Sequence, residues 1–185
     1  MEEKNEKGTE EKIIVELNED FTLIIKDPKK WRSLFDKGYY GFPDEKKKIL
    51  RLSPYEALLL LERGKIEIVK DSEKISLKEF IRIFTNRIKD FWENYLVFSD
   101  IRRRGYVVKE GISQEIIFSI YPRGENPQEA PPKYYVIKVY EGTPLKLDAL
   151  RESTKISRVS KKTLLIAVLD RQGDVTYYKT SRLDF

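Results

Sequence analysis

Histidine and cysteine are both missing from this 185-residue sequence, and methionine occurs once. Without cysteine there is no disulfide, no thiolate metal site and no cysteine nucleophile. Without histidine the side chain best suited to moving protons near neutral pH is gone, and any metal would have to be held by carboxylates alone. Long apolar runs are missing too: nothing approaches the roughly 18 consecutive apolar residues of a membrane span. The first residues are acidic (Glu2, Glu3, Glu6, Glu10, Glu11), the reverse of a signal peptide's basic start. A soluble, cytoplasmic protein is expected.

Charge is plentiful. Charged residues make up 36% of the chain, mostly Lys and Glu. Together with the scarcity of oxidation-prone residues this leans towards a thermophile, where ion-pair networks are enriched. There are 36 basic and 31 acidic residues, a net charge of +5, which permits binding to a polyanion without demanding it.

Residues 1–11 read as a disordered, charged leader. Ile13 to Leu17 and Phe21 to Ile25 are short apolar runs around Asn18-Glu19-Asp20, the pattern of a hairpin. Asp27-Pro28 marks a helix start, with Asp as cap and Pro at the first position, and Trp31, Leu34 and Phe35 as the buried stripe. Gly38 to Pro43 reads as a loop and Ile49 to Leu52 as a short strand. Ser53-Pro-Tyr-Glu56 is a capping box opening a helix through Leu61, and Ile66 to Val69 is the next strand. Ser76 with Glu79 is a second capping box. Leu77, Phe80, Ile81, Phe84, Ile88, Phe91, Trp92 and Tyr95 then recur at spacings of three and four, giving one long amphipathic helix or two abutting ones. Strands follow at Tyr106–Val108, Ile116–Tyr121, Tyr134–Tyr140, Thr163–Leu169 and Val175–Tyr178, with a helix at Leu147–Lys155 and a Gly/Pro-rich loop at Gly124–Pro132. The class is α/β (α+β), with an N-terminal mixed α/β domain and connecting helix over 12–92 and a second domain over 93–185.

Three stretches carry a resemblance to a known family: Phe98-Ser-Asp-Ile-Arg-Arg-Arg-Gly-Tyr-Val-Val-Lys-Glu-Gly111; Phe118-Ser-Ile-Tyr121 with Gly124 and Tyr134-Tyr-Val136; and Val159 to Asp170 continuing through Gly173-Asp174 to Tyr177-Tyr178. In that order and spacing they resemble the archaeal tRNA-splicing (tRNA-intron) endonucleases, and Gly41, Pro43 and the helix from Pro54 resemble that family's N-terminal domain. The resemblance implies a restriction-endonuclease-like C-terminal domain, a mixed sheet flanked by helices. It implies cleavage of precursor tRNA at a bulge-helix-bulge, leaving a 2′,3′-cyclic phosphate and a 5′-hydroxyl, with no metal or other cofactor. Chemistry in the family is assigned to a tyrosine that helps deprotonate the 2′-hydroxyl, a histidine that protonates the departing 5′-oxygen, and a lysine that stabilises the charged transition state.

The tyrosine matches Tyr121 and the lysine Lys162. The histidine position is Pro131, which can neither give nor take a proton through its side chain. Ile117 stands where a polar residue is usual, and Glu115 replaces a small Gly. The site therefore reads as vestigial, although Tyr121 may equally be a packed strand residue and Lys162 a solvated one. Arg102, Arg103, Arg104 and Lys161 are candidates for RNA phosphates; the three arginines also suit the C-terminal end of the preceding helix. The resemblance further implies subunit contacts through an acidic loop, here Asp170 to Asp174, and a strand edge from Val175 through Tyr177 to Tyr178, with Leu183 and Phe185 beyond. That strand could instead be internal to a monomer. The expected role is the structural, non-catalytic subunit of a hetero-oligomer, two plus two, with a catalytic partner and precursor tRNA. The alternatives are an enzyme active through Tyr121 and Lys162 alone, and an RNA-binding or assembly protein on the same fold.

Overall fold

A computed structural model describes residues 12–181. The leader at 1–11 and the tail residues Leu183 and Phe185 lie outside the described residues. The chain divides into two compact units, one of 12–36 with 40–80, the other of 37–39 with 81–181. No described helix is long and apolar enough to cross a membrane.

The first unit begins with the expected hairpin, β1 (Ile13–Leu17) antiparallel to β2 (Leu23–Ile25). Period-two alternation explains it: Val15, Leu17, Leu23 and Ile25 are buried while their neighbours are not. Helix α1 (Pro28–Gly38) follows, its start capped by the Asp27 carboxylate, which accepts the backbone N–H of Lys29 at 3.0 Å. The stretch read as a loop ends in a short strand, β3 (Phe42–Asp44), paired to β4 (Ile49–Leu52). Pro43 hid it, because proline is tolerated in a sheet only at an edge, and β3 is an edge strand. Helix α2 (Pro54–Glu62) has the full capping box at Ser53 and Glu56. β5 (Ile66–Lys70) runs parallel to β1, and the two-residue β6 (Glu73–Lys74) closes the sheet in the order β3-β4-β2-β1-β5-β6.

The aromatic-rich stretch resolves into two helices, α3 (Leu77–Thr85) and α4 (Phe91–Arg103). The break falls at Asp90, which adopts a left-handed backbone (φ 54°) no helix interior tolerates. In the second unit β7 (Val107–Glu110), β8 (Ile116–Tyr121), β9 (Tyr134–Tyr140), β10 (Thr163–Leu169) and β11 (Val175–Lys179) form a sheet in the order β11-β10-β9-β8-β7. Only β9 and β10 are parallel, and α5 (Leu147–Val159) makes the crossover between them. α5 runs four residues past its expected end because Ser153 and Ser157, polar in sequence, are buried on its inner face. Leu150 and Ile156 of α5 pack on Ile116, Tyr135, Ile137 and Leu164. On the other face Phe98 of α4 meets Phe118, ring centroids 5.7 Å apart. The sheet is thus flanked by a helix on each side.

Two buried or half-buried cations fasten residues 37–39 into this unit. Lys109, 5% exposed, donates from Nζ to the Tyr39 carbonyl at 2.7 Å, and Arg102 donates to the Gly38 carbonyl at 2.9 Å. The β7–β8 connection is tight at Gly111, where a Cβ would lie 1.6 Å from the Ile116 carbonyl oxygen. Gly111→Ala should therefore destabilise the protein by about 1–3 kcal/mol or more. Lys109→Met should cost about 1–3 kcal/mol by leaving a buried carbonyl short of its donor. Urea unfolding measures both, and wild-type stability in either variant would contradict the packing described.

Candidate functional site

Strand register brings the expected site residues to one end of the second sheet. Ile120 of β8 pairs with Tyr134 of β9, and Tyr134 with Thr163 of β10. Tyr121 lies one residue beyond Ile120 and Lys162 one residue before Thr163. β8 ends where β9 and β10 begin, so Tyr121, the 131–133 segment and Lys162 share that end. Hydrogen bonds extend the row: Lys133 N–H donates to the Ile120 carbonyl at 2.8 Å, and Thr163 N–H to the Lys133 carbonyl at 3.2 Å. Alternation then puts Tyr121 on the side of Tyr135 and Leu164, the face that α5 covers.

α5 ends at this corner. The Lys162 N–H donates to the Ser157 carbonyl at 2.8 Å, and Lys161 takes the left-handed conformation (φ 55°) that stops the helix. Lys161 is exposed and Lys162 half-buried. Along α5, Arg151, Lys155 and Arg158 line one groove together with Leu150 and Thr154. The interleaved Asp148 and Glu152 masked this basic stripe in the sequence.

Tyr121 is half-buried, and burial, with Tyr135 beside it, pushes its hydroxyl above the ordinary tyrosine range. A base poised near neutral pH would need the opposite shift. Pro131 is exposed in the loop ahead of β9. The same loop holds Glu129, engaged by the Asn126 amide at 2.9 Å. Among the described residues no group of three or more acidic side chains could hold a metal ion.

Comparison with known proteins gives a consistent picture. The profile described as tRNA intron endonuclease, catalytic C-terminal domain, matches residues 91–177, and the one described as tRNA intron endonuclease, N-terminal domain, matches 16–81. A tRNA-splicing endonuclease of Methanothermobacter thermautotrophicus is 35% identical over 159 residues, covering 86% of this chain and 91% of that protein. One of Thermococcus kodakarensis is 36% identical over 152 residues, covering 82% and 88%. One of Sulfurisphaera tokodaii is 29% identical over 165 residues, covering 84% and 91%. The chain belongs to the tRNA-splicing endonuclease family.

Other residues that the family resemblance pointed to are placed as follows. Arg102 is spent on the Gly38 and Tyr106 carbonyls. Arg104 donates to Asp100 at 2.8 Å and lies over the Tyr177 ring, 5.5 Å from its centroid, while Arg103 is exposed. Ile117 is not beside Tyr121. A bulge at that point of β8 turns it towards Asn94 and Lys138 by α4, across the sheet from the Tyr121 corner. That hollow holds a feature the sequence did not signal: Lys138, its side chain 7% exposed, pairs with Asp90 at 3.2 Å and donates to the Tyr140 hydroxyl at 3.1 Å. Burial pushes Lys138 down, and Asp90 opposes the shift.

Asp170 to Asp174 form the hairpin turn between β10 and β11. Asp170 uses its carboxylate internally, accepting the N–H groups of Gln172 at 2.9 Å and Asp174 at 2.8 Å, whereas Asp174 is exposed. Among the described residues β11 is an edge strand of the second sheet, paired on one side to β10. Val175 and Tyr177 face inward, the Tyr177 hydroxyl donating to the Val97 carbonyl at 3.4 Å, and Tyr178 is 58% exposed on the outer side.

Burial also raises Tyr140, to about 12, and raises Tyr177. Folding that holds phenols protonated contributes stability present below pH of about 10 and lost as pH rises through the folded-state values. An alkaline titration followed by phenolate absorbance should show Tyr121 ionising above the ordinary range, by difference between wild type and Tyr121→Phe. A step for Tyr121 at or below the ordinary tyrosine value would contradict its burial.

Proposed function

We propose that this chain is the structural, non-catalytic subunit of a heteromeric tRNA-splicing endonuclease, a cytoplasmic heterotetramer of two such chains and two catalytic partners. The complex removes introns from precursor tRNA at bulge-helix-bulge sites, leaving a 2′,3′-cyclic phosphate and a 5′-hydroxyl. The observation that carries the reading is Pro131 at the family's histidine position, in a sequence without any histidine. An unprotonated alkoxide leaves poorly, and a positioned general acid is typically worth about 10²- to 10⁴-fold. Lysine, with a free pKa of about 10.4, is a reluctant donor, and a phenol raised by burial is a reluctant base.

Support for the partner comes from the open edge of β11, whose backbone groups and exposed Tyr178 suit strand pairing between subunits. Support for RNA contact comes from Lys161, Lys162 and the stripe on α5. Mixed with the catalytic subunit, the chain should form a stable complex and raise cleavage of a bulge-helix-bulge RNA at least tenfold over the partner alone. Equal cleavage by the partner alone, with no complex, would sink the proposal. Cleavage by the purified chain alone, lost in Tyr121→Phe and Lys162→Ala, would establish the rival reading of an enzyme that works without the histidine.

A further inference from the structure

A basic surface on the first unit takes no part in the site described above. It joins two segments distant in sequence. The Trp31 ring is buried in α1, 2% exposed, and its indole N–H donates to the Lys48 carbonyl at 3.3 Å. This ties the turn between β3 and β4 against the helix start. The turn is closed by the Asp44 carboxylate, which accepts the Lys47 N–H at 3.0 Å, and Lys48 bends the chain with a left-handed backbone (φ 53°). Lys46, Lys47 and Lys48 are thus exposed in a turn held against α1, on which Lys29 and Arg32 are exposed at a spacing of three, with Arg32 reaching Glu45 of the turn.

Neighbouring carboxylates do not neutralise these lysines. Asp27 is used as the helix cap, accepting the N–H groups of Lys29 at 3.0 Å and Lys30 at 3.4 Å. Asp44 serves the turn and lies 3.7 Å from Arg51. Glu45 approaches Arg32 at 3.7 Å, a pair with both side chains more than half exposed and hence weak. Asp36 lies a further turn along α1. No ion pair is formed by Lys29, Lys46, Lys47 or Lys48 among the described residues.

We infer that Lys29, Lys46, Lys47 and Lys48 form a contact for RNA phosphates, gripping a double-stranded part of the substrate without regard to sequence or bulge. Lysines are mobile point charges with no bidentate geometry, suited to a phosphate backbone rather than to base edges. The turn itself, residues 45–48, carries no aromatic ring, and Trp31 behind it is buried, so contact there is by charge rather than by base stacking. The inference rests on the reading that this chain handles precursor tRNA. An acidic protein segment would meet the same charges, and the test separates the two.

The full chain carrying Lys29→Gln, Lys46→Gln and Lys47→Gln is compared with wild type for binding to a plain RNA duplex and to a bulged one across a salt series. Lys48 is left intact because its carbonyl and backbone hold the turn. Each lost phosphate contact should flatten the slope of log K against log salt by about 0.7–0.9. The triple variant should thus lose roughly 2 to 3 from the slope, and its affinity for both RNAs should fall by the same factor. Failure of wild type to bind the duplex, or an unchanged slope in the variant, would overturn the inference. So would a loss confined to the bulged RNA, or intact RNA binding with loss of the catalytic partner, which would assign the surface to a protein. The subunit reading fails differently, by absence of the heteromeric complex, which the duplex measurement does not involve.

Discussion

The registered row Ile120–Tyr134–Thr163 is the constraint on which the site depends. It joins an antiparallel pair to a parallel one, so the end of one strand meets the beginnings of two others. Because side chains alternate along a strand, a slip of one residue would send Tyr121 to the α4 side if it occurred in β8, and would take Tyr135 or Leu164 off the face that α5 covers if it occurred in β9 or β10. Those two residues are buried in the cluster under α5, and that burial holds the register. The crossover helix fixes the remaining degree of freedom. Its last turn delivers Lys161 and Lys162 to the corner where Tyr121 ends its strand. The chemistry available there is a by-product of core packing, and it persists whether or not a proton donor occupies the loop at Pro131.

Polar groups buried elsewhere do related work. In the first unit Glu56, 2% exposed, accepts the Gly41 and Ser53 N–H groups, each at 3.0 Å. One carboxylate therefore caps α2 and anchors the chain just before β3. In the second unit Lys109 and Arg102 take consecutive carbonyls of Tyr39 and Gly38. An unsatisfied buried carbonyl costs about as much as a lost hydrogen bond, so these cations hold an irregular segment that has no ladder of its own. Arginines that looked suited to RNA are consumed in this way: Arg102 by carbonyls, Arg104 by Asp100 and the Tyr177 ring. Of the three arginines in sequence, Arg102 is held by carbonyls, while Arg103 and Arg104 are both exposed, Arg104 paired with Asp100.

Much of the fold was legible because its signals are local. Near-continuous apolar runs gave β8, β9 and β10 their observed limits, and the capping box at Ser53 and Glu56 gave α2 its start. Where the reading stayed open or went astray, a non-local or backbone effect intervened. The aromatic periodicity fits one long helix or two abutting ones, and the turn over 86–90, ending in the left-handed Asp90, decides for two. β3 exists because β4 offers it an edge, not because of its own residues. Ile117, noted because the family pattern has a polar residue there, is turned across the sheet from Tyr121 by the bulge in β8. For the site itself, sequence supplied Tyr121, Pro131 and Lys162, but only strand register supplies the row that brings them to one end.

Tyr121 and Lys162, the two residues matched to the family's set by resemblance, differ in what their presence implies. Tyr121 is half-buried against Tyr135, so an aromatic ring is wanted there for packing, whatever the chemistry. Its presence in a chain with proline for histidine therefore requires no activity. Lys162 is another matter. The hydrogen bond that closes α5 is made by its backbone N–H, which any residue but proline would supply. No described packing calls for a lysine side chain at that point. Its charge adds to Lys161, Arg158 and Lys155 on a surface where anions would collect. Under the proposed function, the proton donor is the part of the family's machinery this chain lacks, and positive charge the part it keeps. That division fits a subunit that attracts RNA and leaves cleavage to another.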